Sequence, residues 1–146
     1  MPDKAWDWSL LEQIPSSLTS GHEMIDRYIK VLEQFGWEGR DLFQVQLAVE
    51  EAIVNAITHG NKESPDKVVE IELHVSRDST SMRVLDQGSG FCPETLPDPT
   101  SEDRLETPHG RGVMLMKEMM DVVDYNEVGN QVRMVKNRGS DIPTPD

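Results

Sequence analysis

Cysteine is nearly absent. Cys92 is the only one in 146 residues, which excludes an intramolecular disulfide and a cysteine-built zinc centre. Long apolar runs are also missing. None approaches the roughly 20 residues that a membrane-spanning helix needs, and the opening MPDKAWDWS lacks the basic and apolar regions of a secretory signal. A cytoplasmic protein is expected. Positive charge is scarce: 14 Lys and Arg stand against 27 Asp and Glu, for a formal net charge of −13. That balance argues against nonspecific binding to nucleic acid, whose phosphates need clustered cations. A basic protein partner suits it better. There is no internal repeat or low-complexity tract, and no Gly-x-x-x-x-Gly-Lys-Ser/Thr, which excludes a Walker-type NTPase.

What is present fits one domain over residues 1–138, with the ending GSDIPTPD expected to be a disordered tail. The stretch with most information is Leu47 to Asn61, LAVEEAIVNAITHGN. Val45, Val49, Ala52, Ile53, Ala56 and Ile57 recur at helical spacing and predict a face packed on a sheet. Glu51, Asn55 and His59 stand four apart, so a helix stacks carboxylate, amide and imidazole at the edge of that face. The bland alternative is that these are solvated side chains, with His59 favoured by the helix dipole and Gly60 as the stop.

Around this helix the chain alternates between strand and helix patterns. Trp6 to Ile14 predicts an edge strand ending at Pro15. From Ser20, the residues Ile25, Tyr28, Ile29, Leu32 and Phe35 predict a helix closed by Gly36, and Asp41 is the expected N-cap of the central helix. Val69, Ile71, Leu73 and Val75 alternate with Glu70, Glu72, His74 and Ser76, a strand buried on one face only. Helices are therefore expected on one side of the sheet. Ser81 to Leu85 forms the next strand, and Asp86 follows on the face of Met82 and Val84. Phe91 to His109, with Pro93, Pro97, Pro99 and Pro108, reads as a lid-length loop. Gly110 to Asp121 opens with glycines and continues as a Met-rich helix, whose methionines are expected to fill the core. Val122 to Tyr125 and Val132 to Val135 close the chain as a hairpin through Gly129 and Asn130.

Three pieces suit a nucleotide site. Asp86, an acceptor-only carboxylate, can accept a hydrogen bond from the exocyclic amine that adenine has and guanine lacks at the corresponding edge. Gly88 and Gly90 let backbone approach a ring. Gly110 and Gly112 at a helix entrance leave N–H groups for phosphate oxygens, and Arg111 adds a charged donor. Asn55 offers an oxygen to Mg²⁺, and Glu51, one turn earlier, can accept a proton from an attacking hydroxyl or water. Glu50 points about 100° away and is expected at the surface. Each piece alone is weak, because glycines at strand exits and helix entrances serve ordinary turns. The ordered set is much more specific.

With these residues in hand, the sequence resembles the GHKL ATPase and kinase superfamily, whose N, G1 and G2 boxes match Glu51-x-x-x-Asn55, Asp86-x-Gly88-x-Gly90 and Gly110-x-Gly112. LAVEEAIVNAITHGN is similar to the N box of the small anti-sigma-factor serine kinases, the SpoIIAB and RsbW type, and the resemblance spans about residues 6 to 137. It implies an α+β fold, a two-layer Bergerat sandwich with a mixed, mostly antiparallel sheet and helices on one face. It also implies Glu51 as catalytic base, Asn55 as magnesium ligand, Asp86 as adenine ligand, and Gly88, Gly90, Gly110, Arg111, Gly112 and Val113 in the ATP pocket. A sigma factor held inactive, a STAS-domain antagonist phosphorylated on serine or threonine, and a homodimer follow from the resemblance alone. Within it, Asn130 and Gln131 replace the threonines that many relatives carry before the last-strand valine.

Other readings stay open at this point. One is a regulatory module of the same fold that associates with a partner without phosphoryl transfer. Another is a histidine-kinase catalytic domain without its dimerising helices, which the short stretch before the central helix disfavours. The last is an α/β domain whose glycines only make turns.

Overall fold

The computed structural model describes residues 6–88 and 116–139. Its elements in chain order are β1 (Trp8–Pro15), α1 (Leu18–Gln34), α2 (Gly39–Asn55), a π-helical turn (Ala56–Gly60), β2 (Val68–Val75), β3 (Ser79–Leu85), β4 (Val122–Tyr125) and β5 (Gln131–Asn137). The strands form one sheet in the order β1-β2-β3-β5-β4, and the four described pairings are all antiparallel. β1 lies at the edge, as its pattern predicts.

Alternation decides which face is covered. Val69, Ile71, Leu73 and Val75 of β2, Met82 and Val84 of β3, and Val132 and Met134 of β5 are buried. Against them pack Met24, Ile25, Tyr28 and Leu32 of α1, and Val45, Val49 and Ile53 of α2. The two helices approach closely where Gly21 sits on α1. A Cβ there would stand 2.8 Å from Ile57 Cδ1 and 3.1 Å from Ile53 Cγ2.

The other face carries charge. Arg83 donates to Glu70 at 2.7 Å and to Glu72 at 2.9 Å, and His74 reaches Glu72 at 2.7 Å. Helices on one face and an ion-paired opposite face make a two-layer α+β sandwich, as expected.

Local chemistry explains the element ends. Ser17 caps α1, its Oγ accepting the Ser20 N–H at 3.1 Å. Gly36, at φ +92°, turns the chain out of that helix. The expected cap at Asp41 is corrected. α2 begins after Glu38, without a side-chain cap, and Asp41 lies buried in the first turn. There its Oδ2 accepts the Gly139 N–H at 3.0 Å, and its Oδ1 is 3.9 Å from the Lys136 Nζ. A buried ammonium from β5 engages the carboxylate that composition alone assigns to the helix end.

Residues 116–119 are helical. Met116 and Met120 join the core, so the methionines fill space as expected. In the closing hairpin, Asn126 Oδ1 accepts the N–H groups of Gly129 at 2.7 Å and Asn130 at 3.1 Å, with Gly129 at φ +87°. The expected lid and all but the first residue of the expected tail lie outside the described residues.

Candidate functional site

α2 brings the first two residues together. Glu51 and Asn55 are half-buried on its last turns, and Asn55 Nδ2 donates to Glu51 Oε2 at 2.9 Å. With its nitrogen spent on Glu51, the amide keeps its oxygen as the end a cation would use. Among the described residues no group of three or more His, Cys, Asp or Glu side chains converges. The hard oxygen donors present fit a magnesium ion that takes its remaining ligands from phosphates and water.

Beyond Asn55 the helix departs from the sequence expectation. Ala56–Gly60 widens into a π turn, with the Asn61 N–H donating to Ala56 O at 2.8 Å and the Glu63 N–H to Ile57 O at 2.7 Å. Two non-glycine residues, Lys62 at φ +54° and Glu63 at φ +56°, then follow in the left-handed region. The stack of four-spaced residues is thus kept for Glu51 and Asn55, while His59 sits exposed on the widened turn. π turns of this kind occur often at functional sites.

The widened turn delivers Gly60 to Asp86. A Cβ on Gly60 would overlap the Asp86 carboxylate, and one on Gly88 would overlap Gly60 O. Gly60 is therefore a glycine for space. Its φ is not positive, so it does not act as a left-handed helix stop. Asp86 is half-buried, and its Oδ1 accepts the Gly88 N–H at 2.7 Å. Among the described residues no donor meets its Oδ2, which leaves an acceptor for a ligand amine. Burial pushes the carboxyl above the ordinary aspartate range, against lowering by the Gly88 N–H and the Lys67 charge.

Four residues around the site escaped the sequence reading as contributors. Gly60 and Asn61 were legible only as helix end and turn. Asn130 was visible as a departure in the last strand, and it grips the backbone of Asp86: the Asp86 N–H donates to Asn130 O at 2.9 Å, and Asn130 Nδ2 donates to Asp86 O at 3.2 Å. The phenol of Tyr125, on β4, is pushed above the ordinary tyrosine range first by burial and then by the Glu51 charge. An isolated tyrosine in a short strand gives no signal of such a neighbour. The expected pocket residues Gly90, Gly110, Arg111, Gly112 and Val113 lie outside the described residues.

Chemically, one helix thus presents a proton acceptor and a metal-suited oxygen. Its end is packed on a carboxylate with one oxygen available. Comparison with known proteins gives the family. Residues 14–136 match the model of the histidine kinase-like ATPase domain. The chain is similar to the anti-sigma F factor of Clostridium botulinum (strain Eklund 17B / Type B), 33% identical over 102 residues that cover 66% of this chain and 71% of that one. It is also similar to the anti-sigma F factor of Clostridium perfringens (strain SM101 / Type A), 35% identical over 108 residues, covering 70% and 69%. A third relative is the serine-protein kinase RsbW of Listeria innocua, 30% identical over 113 residues, covering 73% and 72%. With the match to the domain model spanning most of its length, the chain belongs to the histidine kinase-like ATPase family, and its relatives include anti-sigma factors and a serine-protein kinase.

Proposed function

We propose that this chain is an ATP-dependent protein serine/threonine kinase of the anti-sigma-factor type. It binds a sigma factor, and it phosphorylates a serine or threonine of a STAS-domain antagonist. The observation that carries the reading is the Glu51–Asn55 hydrogen bond of 2.9 Å on a helix whose end packs against Asp86. The relatives, an anti-sigma F factor and a serine-protein kinase among them, support the same class.

In this reading each residue has one task. Asp86 Oδ2 accepts a hydrogen bond from the adenine amine and so orients the base. Asn55 supplies an oxygen to the magnesium ion, whose charge offsets that of the phosphates when it is bound. Glu51 accepts the proton of the antagonist's hydroxyl as that oxygen forms its bond to the γ-phosphorus. The bond from the γ-phosphorus to the bridging oxygen breaks, and ADP leaves. Positioning and electrostatics account for most of the acceleration in such transfers. The hydrogen bond from Asn55 fixes the Glu51 carboxylate rotamer before the hydroxyl arrives. Gly90, Gly110, Arg111, Gly112 and Val113 complete the proposed nucleotide pocket.

The test is a phosphorylation assay with ATP, Mg²⁺ and a STAS-domain antagonist. Glu51→Gln keeps the shape and the hydrogen-bonding reach but removes the base. It should bind ATP within about twofold of wild type and transfer phosphate on the order of 100-fold more slowly or worse. Transfer at the wild-type rate would refute the role of Glu51.

A further inference from the structure

Asn61 is 1% exposed, yet both ends of its amide are fully used. Its Oδ1 accepts the Gln87 N–H at 2.7 Å, and its Nδ2 donates to Val68 O at 3.0 Å and to Ser16 Oγ at 2.8 Å. Gln87 closes the ring, its Oε1 accepting the Val68 N–H at 2.7 Å. A single buried side chain therefore joins the end of β1, the start of β2 and the exit of β3. It does so at the foot of the π turn, followed by two left-handed non-glycine residues. Strained backbone of this kind persists only where its surroundings enforce it. Here the strain has a product, the placement of Gly60 and Asn61 against the segment Asp86-Gln87-Gly88.

From this arrangement we infer that Asn61 is a positioning residue that sets base preference. It fixes the peptide that follows Asp86, so that the carboxylate presents Oδ2 to an adenine amine in one orientation. Three constraints act together on Asp86. Asn130 grips its own N–H and carbonyl, the Asn61 amide oxygen holds the next N–H, and Gly60 lies flat against the carboxylate. Without the bond to Gln87 the strand exit can rotate, and the acceptor moves off the line of the incoming amine. Contacts to ribose and phosphates, shared by ATP and GTP, do not depend on that line. The inference rests on Asp86 as the base-reading group of the proposed site.

The experiment measures the dissociation constants of ATP and GTP, with Mg²⁺, for the full chain and two variants, together with their melting temperatures. Asn61→Asp keeps the acceptor for the Gln87 N–H but loses both donors. Asn61→Ala loses all three bonds. Both should melt lower than wild type. Asn61→Ala should lose about tenfold in the preference for ATP over GTP, the worth of one misaligned hydrogen bond to a charged group. Asn61→Asp should keep the preference within about threefold. A purely structural Asn61 predicts otherwise: the preference stays at the wild-type value in Asn61→Ala, or both variants lose it alike. Either result overturns the inference. Should Asn61→Ala fail to fold, Gly60→Ala takes its place. Its added methyl displaces the Asp86 carboxylate, so a retained preference there refutes the constraint and a lost one supports it. A wild-type chain that binds both nucleotides equally overturns the base assignment of Asp86 itself, which separates that failure from this one.

Discussion

Asp86 holds its charge at a cost. Burial raises its pKa above the ordinary aspartate value of 3.8, so the folded state favours the protonated form more than the unfolded state does. The charged carboxylate therefore lowers stability at neutral pH, and that penalty is relieved as the pH falls through the raised pKa. Binding runs the other way. An adenine amine needs the ionised acceptor, so ATP affinity should fall on acidification at a pH above 3.8, where an ordinary aspartate would still be charged. Asp86→Asn should bind ATP weakly at all pH values and lose this part of the pH profile. Titrations with ATP from neutral to mildly acidic pH check it, and an unchanged profile in the variant would assign the titration to another group. In the sequence this position shows a carboxylate after a strand, followed by spaced glycines, a pattern that ordinary turns share and that only the ordered set of motifs makes specific. Asn61 was not legible, because an amide in a turn is ordinary until its partners, Ser16, Val68 and Gln87, are known to converge on it.

Among the elements, α2 and β5 are joined by a buried ion pair. Lys136 is fully buried, and its Nζ donates to Gln44 Oε1 at 2.8 Å and to Met119 O at 2.9 Å, with Asp41 Oδ1 3.9 Å away. It ties the start of α2 to the end of the helical residues 116–119. Lys136→Met should cost about 3–5 kcal/mol, because Asp41 remains buried without its counter-charge. The double variant Asp41→Leu with Lys136→Met should regain more than half of the loss. Urea midpoints measure both, and a single-variant loss under about 1 kcal/mol would show that the pair contributes little. This contact also explains the misread cap. A helix-start aspartate has a local use that the sequence suggests and a distant use, near residue 136, that it hides. β2 was legible for the opposite reason: Val69, Ile71, Leu73 and Val75 alternate with polar residues, and pleating alone sorts them. The π turn left no trace, since a hydrogen bond shifted by one residue changes neither composition nor apolar spacing.

On the scale of the whole molecule, the sheet with helices on one face places the end of α2 beside the exit of β3, and that juxtaposition forms the candidate site. The order β1-β2-β3-β5-β4 sets it, because β3 is central and its exit meets the helix end. Motif order along the sequence suggested the same neighbours without the topology. The net charge of −13 adds a condition: an acidic chain that binds a polyanion needs a cation to do so, and salt will weaken its attraction to a basic partner. The most direct measurement is a calorimetric titration of the purified chain with ATP, with and without Mg²⁺, and with GTP as control. The account predicts binding that strengthens at least about tenfold with Mg²⁺ and prefers ATP to GTP by a similar factor, about 1.4 kcal/mol for each. No binding at millimolar ATP, or equal binding of both nucleotides without dependence on Mg²⁺, would contradict it.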